Sequence, residues 1–351
     1  MQLATYESIR AERLVRQGLA KPIARTAGFE ALFRRLQPVS TGAQVRPGSP
    51  PRLVHRTRFD SQAAADALRS TRRIVKGRFQ AGGVGYVHVE DLGLYANAFR
   101  RPLPALNETQ EQVFEALNYG GPLTPSLLKD ETGLLKKQIN PALQRLQEAF
   151  LVYEDQVDDD WERGWYEFAS EWPEIELDDD ARESAAAEVL ARFLEAFVFA
   201  TGEQLRDWTQ WPVKRINALL ADLEGRGRIA ATAIEGLGEG WSRPVDLRLR
   251  TASPAPTAFL LNRGDFLSRA HKSELERRFG RTDLLQFVYV AGEFAGVVRG
   301  HWGFKPFDID DIEMQLPATA AAALRDEVLG LVRAAYPEPR NTVLRYAGKR
   351  I

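Results

Sequence analysis

The stretch from Gly133 to Asp155, "GLLKKQINPALQRLQEAFLVYED", contains the pattern on which our fold prediction rests. Its apolar residues recur at spacings of four, three and four, which defines one face of an α-helix; they are Ile139, Leu143, Leu146 and Phe150. The run "LVYE" that follows has the character of a strand. The sequence therefore predicts an amphipathic helix that begins with two lysines and leads directly into a strand.

The same pattern returns 77 residues further along the chain, where Thr201 aligns with Thr124 and Ile216 with Ile139 without a gap. Each copy reads as a helix, a break, a short helix with the threonine as N-cap, and a longer amphipathic helix. A strand, a polar turn and a second strand follow. Helix, helix, helix, strand, turn, strand is the winged-helix order, in which the third helix usually enters a DNA groove.

We therefore predict an α+β protein of three tandem winged-helix modules plus a C-terminal β-rich mixed domain. The predicted parts are a basic winged-helix-like module at 1–104, a second module at 105–178, a third at 179–250 and the C-terminal domain at 254–351. In this last part we expect a hairpin that turns at Ala291 and Gly292, a strand in "FDIDDIEMQL", and a helix from about Ala318 to Ala335.

Composition excludes several classes of protein. The 351 residues include no cysteine and only four scattered histidines, so we expect no disulfide, no thiolate nucleophile, no metal site and no cofactor. No window approaches 18 uninterrupted apolar residues, and the first residues do not resemble a signal peptide. We expect an intracellular chain with no membrane contact.

The net charge of −1 hides a strong asymmetry. Residues 1–104 carry 18 Lys and Arg against 7 Asp and Glu, a net of +11, and the remainder carries 29 against 41, a net of −12. Such asymmetry indicates a polyanionic partner. The alternative is that the basic segment docks on the acidic remainder of the same chain.

Two groups of cations are candidates for contacts with nucleic acid. Arginine suits bidentate contacts to phosphate, and six arginines fall within 25 residues: Arg34, Arg35, Arg46, Arg52, Arg56 and Arg58. The second group lies at the start of each third helix and comprises Lys136, Lys137, Lys214 and Arg215. For this second group the alternative is a solvated helix end, where long polar side chains are readily accommodated.

Several segments resemble one protein family in their order and spacing. They include "QGLAKP", "RRLQPV", "GSPPRLVHRTR", "VHVEDLGLY", "AFLLNRGDFLSRAHK" and "FVYVAGEFAGVVRG". Together they resemble the AlkZ-like and YcaQ-like DNA glycosylases over nearly the whole chain. The resemblance implies three winged-helix modules and a C-terminal β-rich domain that form a concave DNA-binding body. It also implies excision of alkylated bases, including unhooking of interstrand crosslinks.

The chain departs from that family at the catalytic pair. The resemblance implies a Gln-x-Gln or Gln-x-Asp pair just after the helix ending in "RRL", where it orients the attacking water. In an ungapped register the two positions are Ser40 and Gly42. These residues offer little to an oxocarbenium-like transition state, which needs a nearby anionic or strongly dipolar group. Gln37, Gln44 and Asp60 are the candidate substitutes.

Other polar and aromatic residues have both a functional and a structural interpretation. His88 with Glu90 and Asp91 offers an acid/base set, but we interpret the two carboxylates as first-turn helix residues beside the dipole. Four tryptophans could stack on bases, but core packing is the more common role of such residues; they are Trp208, Trp211, Trp241 and Trp302.

The sequence as a whole predicts a DNA-binding relative of the alkylation and crosslink glycosylases. We expect it to bind damaged or branched double-stranded DNA with weak or no base excision, as a monomer associated with the nucleoid in the cytoplasm. One alternative is an active glycosylase with relocated catalytic residues. Another is a winged-helix transcriptional regulator.

Overall fold

The protein is described by a computed structural model that covers residues 4–42, 48–154, 163–249 and 252–351. Helices and strands alternate along the chain, and the predicted α+β class is confirmed. The first segment contains helices α1 Tyr6–Arg16, α2 Phe29–Leu36, α3 Ser61–Ser70 and α4 Leu92–Phe99 and strands β1 Ile74–Phe79 and β2 Gly83–His88. Strands β1 and β2 form an antiparallel hairpin.

The second and third segments repeat the same elements at the predicted offset. The second contains α5 Glu108–Gly120, α6 Pro125–Thr132, α7 Lys136–Glu148, β3 Val152–Glu154, β4 Trp165–Glu167 and α8 Phe168–Glu171. The third contains α9 Asp179–Phe197, β5 Phe199–Ala200, α10 Gly202–Thr209, α11 Val213–Gly225, β6 Ala230–Ile234 and β7 Gly238–Ser242. The bounds of α6 and α7 coincide with those of α10 and α11 after a shift of 77 residues.

Hydrogen bonds at the N-termini of α6 and α10 explain why both helices begin at the predicted positions. The Thr124 hydroxyl accepts a hydrogen bond from the Leu127 amide at 3.2 Å, and the Thr201 hydroxyl accepts one from the Gln204 amide at 3.3 Å. Each bond satisfies an amide that a helix start would otherwise leave unpaired. Both predicted N-caps are therefore present.

All three segments share one small sheet arrangement. In the third segment, β7 lies between β5 and β6. In the second, Leu123 bridges Trp165 in β4, which pairs with β3. In the first, Val39 bridges Tyr86 in β2, which pairs with β1. The segment that follows α2 is therefore fixed against a hairpin, and this bridge positions the candidate site.

The C-terminal part is built on a six-stranded sheet of order β13-β12-β11-β10-β9-β8. Its elements are β8 Ala258–Leu261, α12 Phe266–Ala270, α13 Lys272–Phe279, β9 Leu284–Val290, β10 Glu293–Gly300, β11 Ile309–Met314, α14 Ala318–Ala323, α15 Arg325–Ala335, β12 Arg345–Tyr346 and β13 Lys349–Arg350. The hairpin turns at Ala291 and Gly292, which have φ values of 49° and 86°. The single helix expected near the C-terminus is wrong in one respect, because it is interrupted at Leu324.

The largest hydrophobic cluster joins all four parts, and the second segment contributes Phe150 and Trp172 to it. It includes Phe33 and Tyr95 from the first segment, Phe193 and Trp208 from the third, and Phe266 from the C-terminal part. The second segment has a cluster of its own, around Val113 and Leu143. The four parts therefore share one hydrophobic core, which includes Leu36 at the end of α2.

Candidate nucleic-acid interface

Much of the positive charge of the first segment is used inside the molecule. Among the described residues, seven cations of that segment pair with carboxylates of the remainder: Arg10 with Glu293, Arg16 with Asp246, Arg56 with Asp265, Arg72 with Glu171, Lys76 with Glu154, Arg100 with Asp179 and Arg101 with Glu148. The charge asymmetry therefore reflects, in large part, docking of the basic segment on the acidic remainder.

Arg56 is not available to DNA, so the prediction that it binds phosphate is wrong. Its side chain is fully buried, and its two terminal nitrogens donate to the two Asp265 oxygens at 2.7 and 3.0 Å. A guanidinium without solvent access that has a bidentate carboxylate partner cannot contact a phosphate. Arg56 instead links the first segment to the C-terminal part.

Arg34 and Arg215 are also held by carboxylates. Arg34 donates to both Asp91 oxygens at 2.8 and 3.0 Å and to Glu90 at 2.6 Å. Arg215 pairs with Glu183 at 3.0 Å and lies 4.4 Å from the centre of the Trp211 ring. Their charges are neutralised within the fold, so neither is a free phosphate ligand.

The remaining predicted cations are placed differently. Arg35 is exposed and donates to the backbone carbonyl of Arg16 at 3.1 Å. Gln44 and Arg46 lie outside the described residues. Lys136 is exposed and interacts with a neighbour. Four further cations make no ion pair with any residue in the described ranges: half-buried Arg52 and exposed Arg58, Lys137 and Lys214.

Sequence reasoning missed two exposed cations beside Arg58. Ile23 forms a parallel bridge with Thr57, and the Arg58 amide donates to the Ile23 carbonyl at 2.9 Å. This pairing brings the segment containing Lys21 and Arg25 alongside Arg58. The two cations were overlooked because they lie outside the arginine-rich run.

Gln37, a candidate catalytic substitute, faces the core. It is fully buried, its Oε1 accepts from the His88 amide at 2.7 Å, and its Nε2 donates to Asp91 at 2.8 Å. The Tyr95 hydroxyl donates to its backbone carbonyl at 3.3 Å. Both ends of the amide are engaged, so the side chain holds the fold together and does not reach a water at the surface.

The residues after Gln37 carry little polar chemistry. Val39 is buried by its bridge to Tyr86. The Ser40 hydroxyl accepts a hydrogen bond from the Gly42 amide at 3.0 Å. Gly42 has a φ of +94°, and a Cβ there would lie 3.2 Å from Nδ2 of Asn262. A side chain at position 42 would therefore be strained and crowded.

The other proposed acid and base groups have structural partners. Asp60 caps α3 by accepting from the amides of Gln62 and Ala63 at 2.9 and 3.4 Å. His88 is fully buried, and its Nε2 lies 2.5 Å from a Glu30 oxygen. Asp60 is exposed but occupied as a helix cap, and His88 is buried away from solvent.

Asp91 is more than a first-turn carboxylate. Its side chain does not cap α4 but lies buried between Arg34, Arg192 and Gln37. Burial opposes ionisation, yet the hydrogen bonds from these three partners keep the pKa of Asp91 below its usual value. It is a charged anchor for the segment that follows α2.

Two further residues beside that segment were missed in the sequence. Arg269 donates to the Pro38 carbonyl at 2.6 Å and to the side chain of Gln80. Gln80, at a turn with a φ of 30°, also donates to the Trp208 carbonyl at 2.9 Å. Burial lowers the pKa of Arg269 to about 10, so its guanidinium remains charged at neutral pH.

A small enclosed cavity beside Val39 collects these charges. Its lining includes three arginines, Arg52, Arg56 and Arg269, and one carboxylate, Asp265. Because Asp265 is already paired with Arg56, the cavity has an excess of positive charge. With about 10 Å³ of space the cavity holds no more than one water molecule, but its positive charge disfavours a cationic intermediate on the neighbouring surface.

The four tryptophans differ in burial. Trp208 and Trp211 are buried, whereas Trp241 and Trp302 are half-buried.

Across the described part of the chain, no helix is both long and apolar enough to cross a membrane. The same residues contain no group of three His, Asp or Glu side chains arranged to hold a metal ion.

Repeated helical segments with small hairpins, joined to a β-rich part beside a cation-lined site, define a class of multi-module α+β proteins. The sequence model of the AlkZ-like DNA glycosylases matches residues 40–334, and the chain belongs to this family. The fold is similar to that of the Streptomyces sahachiroi DNA glycosylase AlkZ, with a TM-score of 0.69 and 16% identity. That match covers 98% of this chain and 100% of AlkZ. No curated protein sequence matches the chain.

Proposed function

We propose that this chain is a DNA-repair protein that binds damaged or branched duplex DNA, including crosslinked DNA, and excises bases weakly or not at all. Membership of the glycosylase family supports action on DNA. The expectation of weak or absent excision rests on the segment after α2, which is apolar and lies beside a cation. Gln37 is sequestered, Val39 is apolar, and Arg269 contacts the backbone between them.

We infer a different register for the family pair from the end of α2. That helix ends at Leu36, so the residues directly after it are Gln37, Pro38 and Val39. The pair then falls on Gln37 and Val39, three residues before Ser40 and Gly42. Either register lacks the second polar side chain, so weak chemistry is expected in both.

Electrostatics supports the same conclusion. Cleavage of an N-glycosidic bond develops positive charge on the sugar, and a nearby anion lowers the barrier. Among the described residues that line the cavity beside Val39, the single carboxylate is neutralised by Arg56. The cavity is too small for a sugar, but the charges of Arg52 and Arg269 would raise the energy of a cationic sugar bound near it and would attract the DNA phosphates.

We further propose that the three repeated segments act as winged-helix modules of a monomer that works on the nucleoid in the cytoplasm. In this arrangement the exposed cations supply phosphate contacts. They are Arg35, Arg58, Lys137 and Lys214, joined by Lys21 and Arg25, and half-buried Arg52 adds a further cation. Such contacts give affinity without sequence specificity.

A salt titration of duplex binding tests this proposal. Removing one phosphate contact should lower the slope of log affinity against log salt by about 0.9. We expect Arg35→Ala with Arg58→Ala to weaken binding and flatten the slope more than Lys137→Ala or Lys214→Ala does alone. Arg333→Ala, at an exposed position on α15, is the matched control. An unchanged slope in the double variant would contradict the proposed surface.

A further inference from the structure

A second, larger cavity lies between the first segment and the C-terminal part. It is a cleft of about 630 Å³, within the usual range for small-molecule sites. One wall is formed by Gly42, Arg52 and neighbouring residues, and the other by the loop between β10 and β11 and the end of α15. Among the described residues, Arg52 is the one member of the proposed duplex surface that also lines this cleft.

The charge of the lining selects the class of ligand. Arg52 and Arg340 both face the cleft, and none of its described lining residues is Asp or Glu. Neither arginine forms an ion pair with a residue that the structure describes. Two arginines without a carboxylate partner favour an anionic ligand, and phosphate is the group that arginine binds best.

Aromatic side chains add a surface for a flat ring. Trp302 and Phe304 pack edge to face with their ring centres 4.9 Å apart, and Phe304 is 53% exposed. Arg340 donates to the Phe304 backbone carbonyl, which ties this loop to the end of α15. An exposed aromatic ring held in place beside cations is a stacking platform for a nucleobase.

Neutral amides at the floor of the cleft could read a base edge. Asn262 Oδ1 accepts from the Gly264 amide at 2.7 Å, which orients Nδ2 toward Gly42. Because Gly42 has no side chain, it leaves the Asn262 amide uncovered. Gln286 and Asn341 also line the cleft and carry further donors and acceptors.

We propose that this cleft holds a single unstacked nucleotide of bound DNA, with its base on Phe304 and Trp302 and its phosphate between Arg52 and Arg340. This inference rests on the proposed function, because it assumes that the chain binds DNA. It gives a physical reason for preferring damaged or distorted duplex, since an unpaired or poorly stacked nucleotide enters the cleft at a lower cost than a paired one.

Fluorescence anisotropy with two labelled duplexes tests the inference. One duplex has a single unpaired adenine, and the other is fully paired. We expect tighter binding of the first, and a loss of about tenfold of that preference in Phe304→Ala, which is about 1.4 kcal/mol and within the range for stacking on one aromatic ring. Arg340→Ala should reduce the same preference.

The controls separate the cleft from the general surface. Tyr119→Ala removes an aromatic ring that is 88% exposed on α5, outside the cleft, and should leave the preference unchanged. Phe304→Ala should keep its affinity for the paired duplex and its melting temperature, because Phe304 is largely exposed. Deoxyadenosine monophosphate is added as a competitor to distinguish a free nucleotide from one within DNA.

Each contrary result has a distinct meaning. Equal affinity of the two duplexes, or an unchanged preference in Phe304→Ala, would overturn the inference while leaving the proposed function intact. Competition by the mononucleotide as strong as by the duplex with the unpaired adenine would show that free nucleotides are the ligand and would overturn the assignment to DNA. Failure to bind either duplex would reject the proposed function, and the inference with it.

Discussion

Arg56 and Arg58 are separated by one residue in the sequence, yet they have opposite environments. Arg56 is fully buried against Asp265, whereas Arg58 is exposed and makes no ion pair with a described residue. The sequence cannot distinguish them, because the carboxylate that captures Arg56 lies 209 residues away. The same limitation applies to Arg34 and Arg215, which are also captured by acidic residues.

Removal of Arg56 should destabilise the fold. Arg56→Ala leaves the buried Asp265 without its partner, and breaking such a pair costs about 3–5 kcal/mol. We expect a markedly lower melting temperature in thermal unfolding, while Arg58→Ala should unfold as the unchanged protein does. A normal melting temperature for Arg56→Ala combined with weaker DNA binding would restore Arg56 as a phosphate ligand.

Glu274 should contribute stability that depends on pH. The hydrogen bond from His271 holds the pKa of Glu274 at about 2, although burial opposes the shift. A folded-state pKa below the unfolded value of about 4.3 gives stability that is present above that value and is lost as the pH falls toward 2. Urea unfolding of Glu274→Gln should therefore show a shallower loss of stability between about pH 5 and pH 2. A pH profile identical to that of the unchanged protein would rule out this role.

At the scale of elements, the sequence predicts best the features that depend on residues close together in the chain. Residues a few positions apart determine the threonine N-caps, the helices within each copy of the repeat, and the turn at Ala291 and Gly292. Burial of Gln37 could not be predicted in this way. It follows from hydrogen bonds with His88 and Asp91, which are more than 50 residues away.

The role of Asp60 belongs to the start of α3. Its carboxylate accepts from two amides of the first turn, and loss of such a cap costs about 1 kcal/mol. We expect Asp60→Ala to lower the free energy of unfolding by about that amount and Asp60→Ser to retain most of it. DNA binding and any base excision should be unchanged in both. Loss of excision in the stable Asp60→Ser variant would instead identify Asp60 as a catalytic residue.

At the scale of the whole molecule, the net charges of +11 and −12 have two consequences. Cross-segment ion pairs and the shared hydrophobic cluster hold the four parts together. The cations left over are candidates for contact with DNA. The sequence shows the charge asymmetry. It does not show which cations pair within the chain and which remain for DNA, because that depends on which surfaces pack together in the fold.

The segment after α2 is where the family's catalytic pair is expected, and in this chain it lies beside an excess of positive charge. Membership of a DNA glycosylase family implies base excision, yet this segment has Val39 beside Arg269 and a buried Gln37. Position 42 cannot readily accept a replacement catalytic residue because of its positive φ. Val39→Gln is therefore the more informative gain-of-function variant.

Abasic-site formation on a duplex carrying N7-methylguanine, assayed beside binding to the same DNA, is the sharpest test of weak or absent excision. We expect the unmodified protein to bind the duplex while abasic sites stay at the level of the protein-free reaction. Among the described residues, Gln37 is buried and fully hydrogen-bonded, and Asp265, the carboxylate beside Val39, is paired with Arg56. Accumulation of abasic sites by the unmodified protein, abolished by changing Gln37, Gln44 or Asp60, would refute this expectation and show that catalysis is retained at a relocated site.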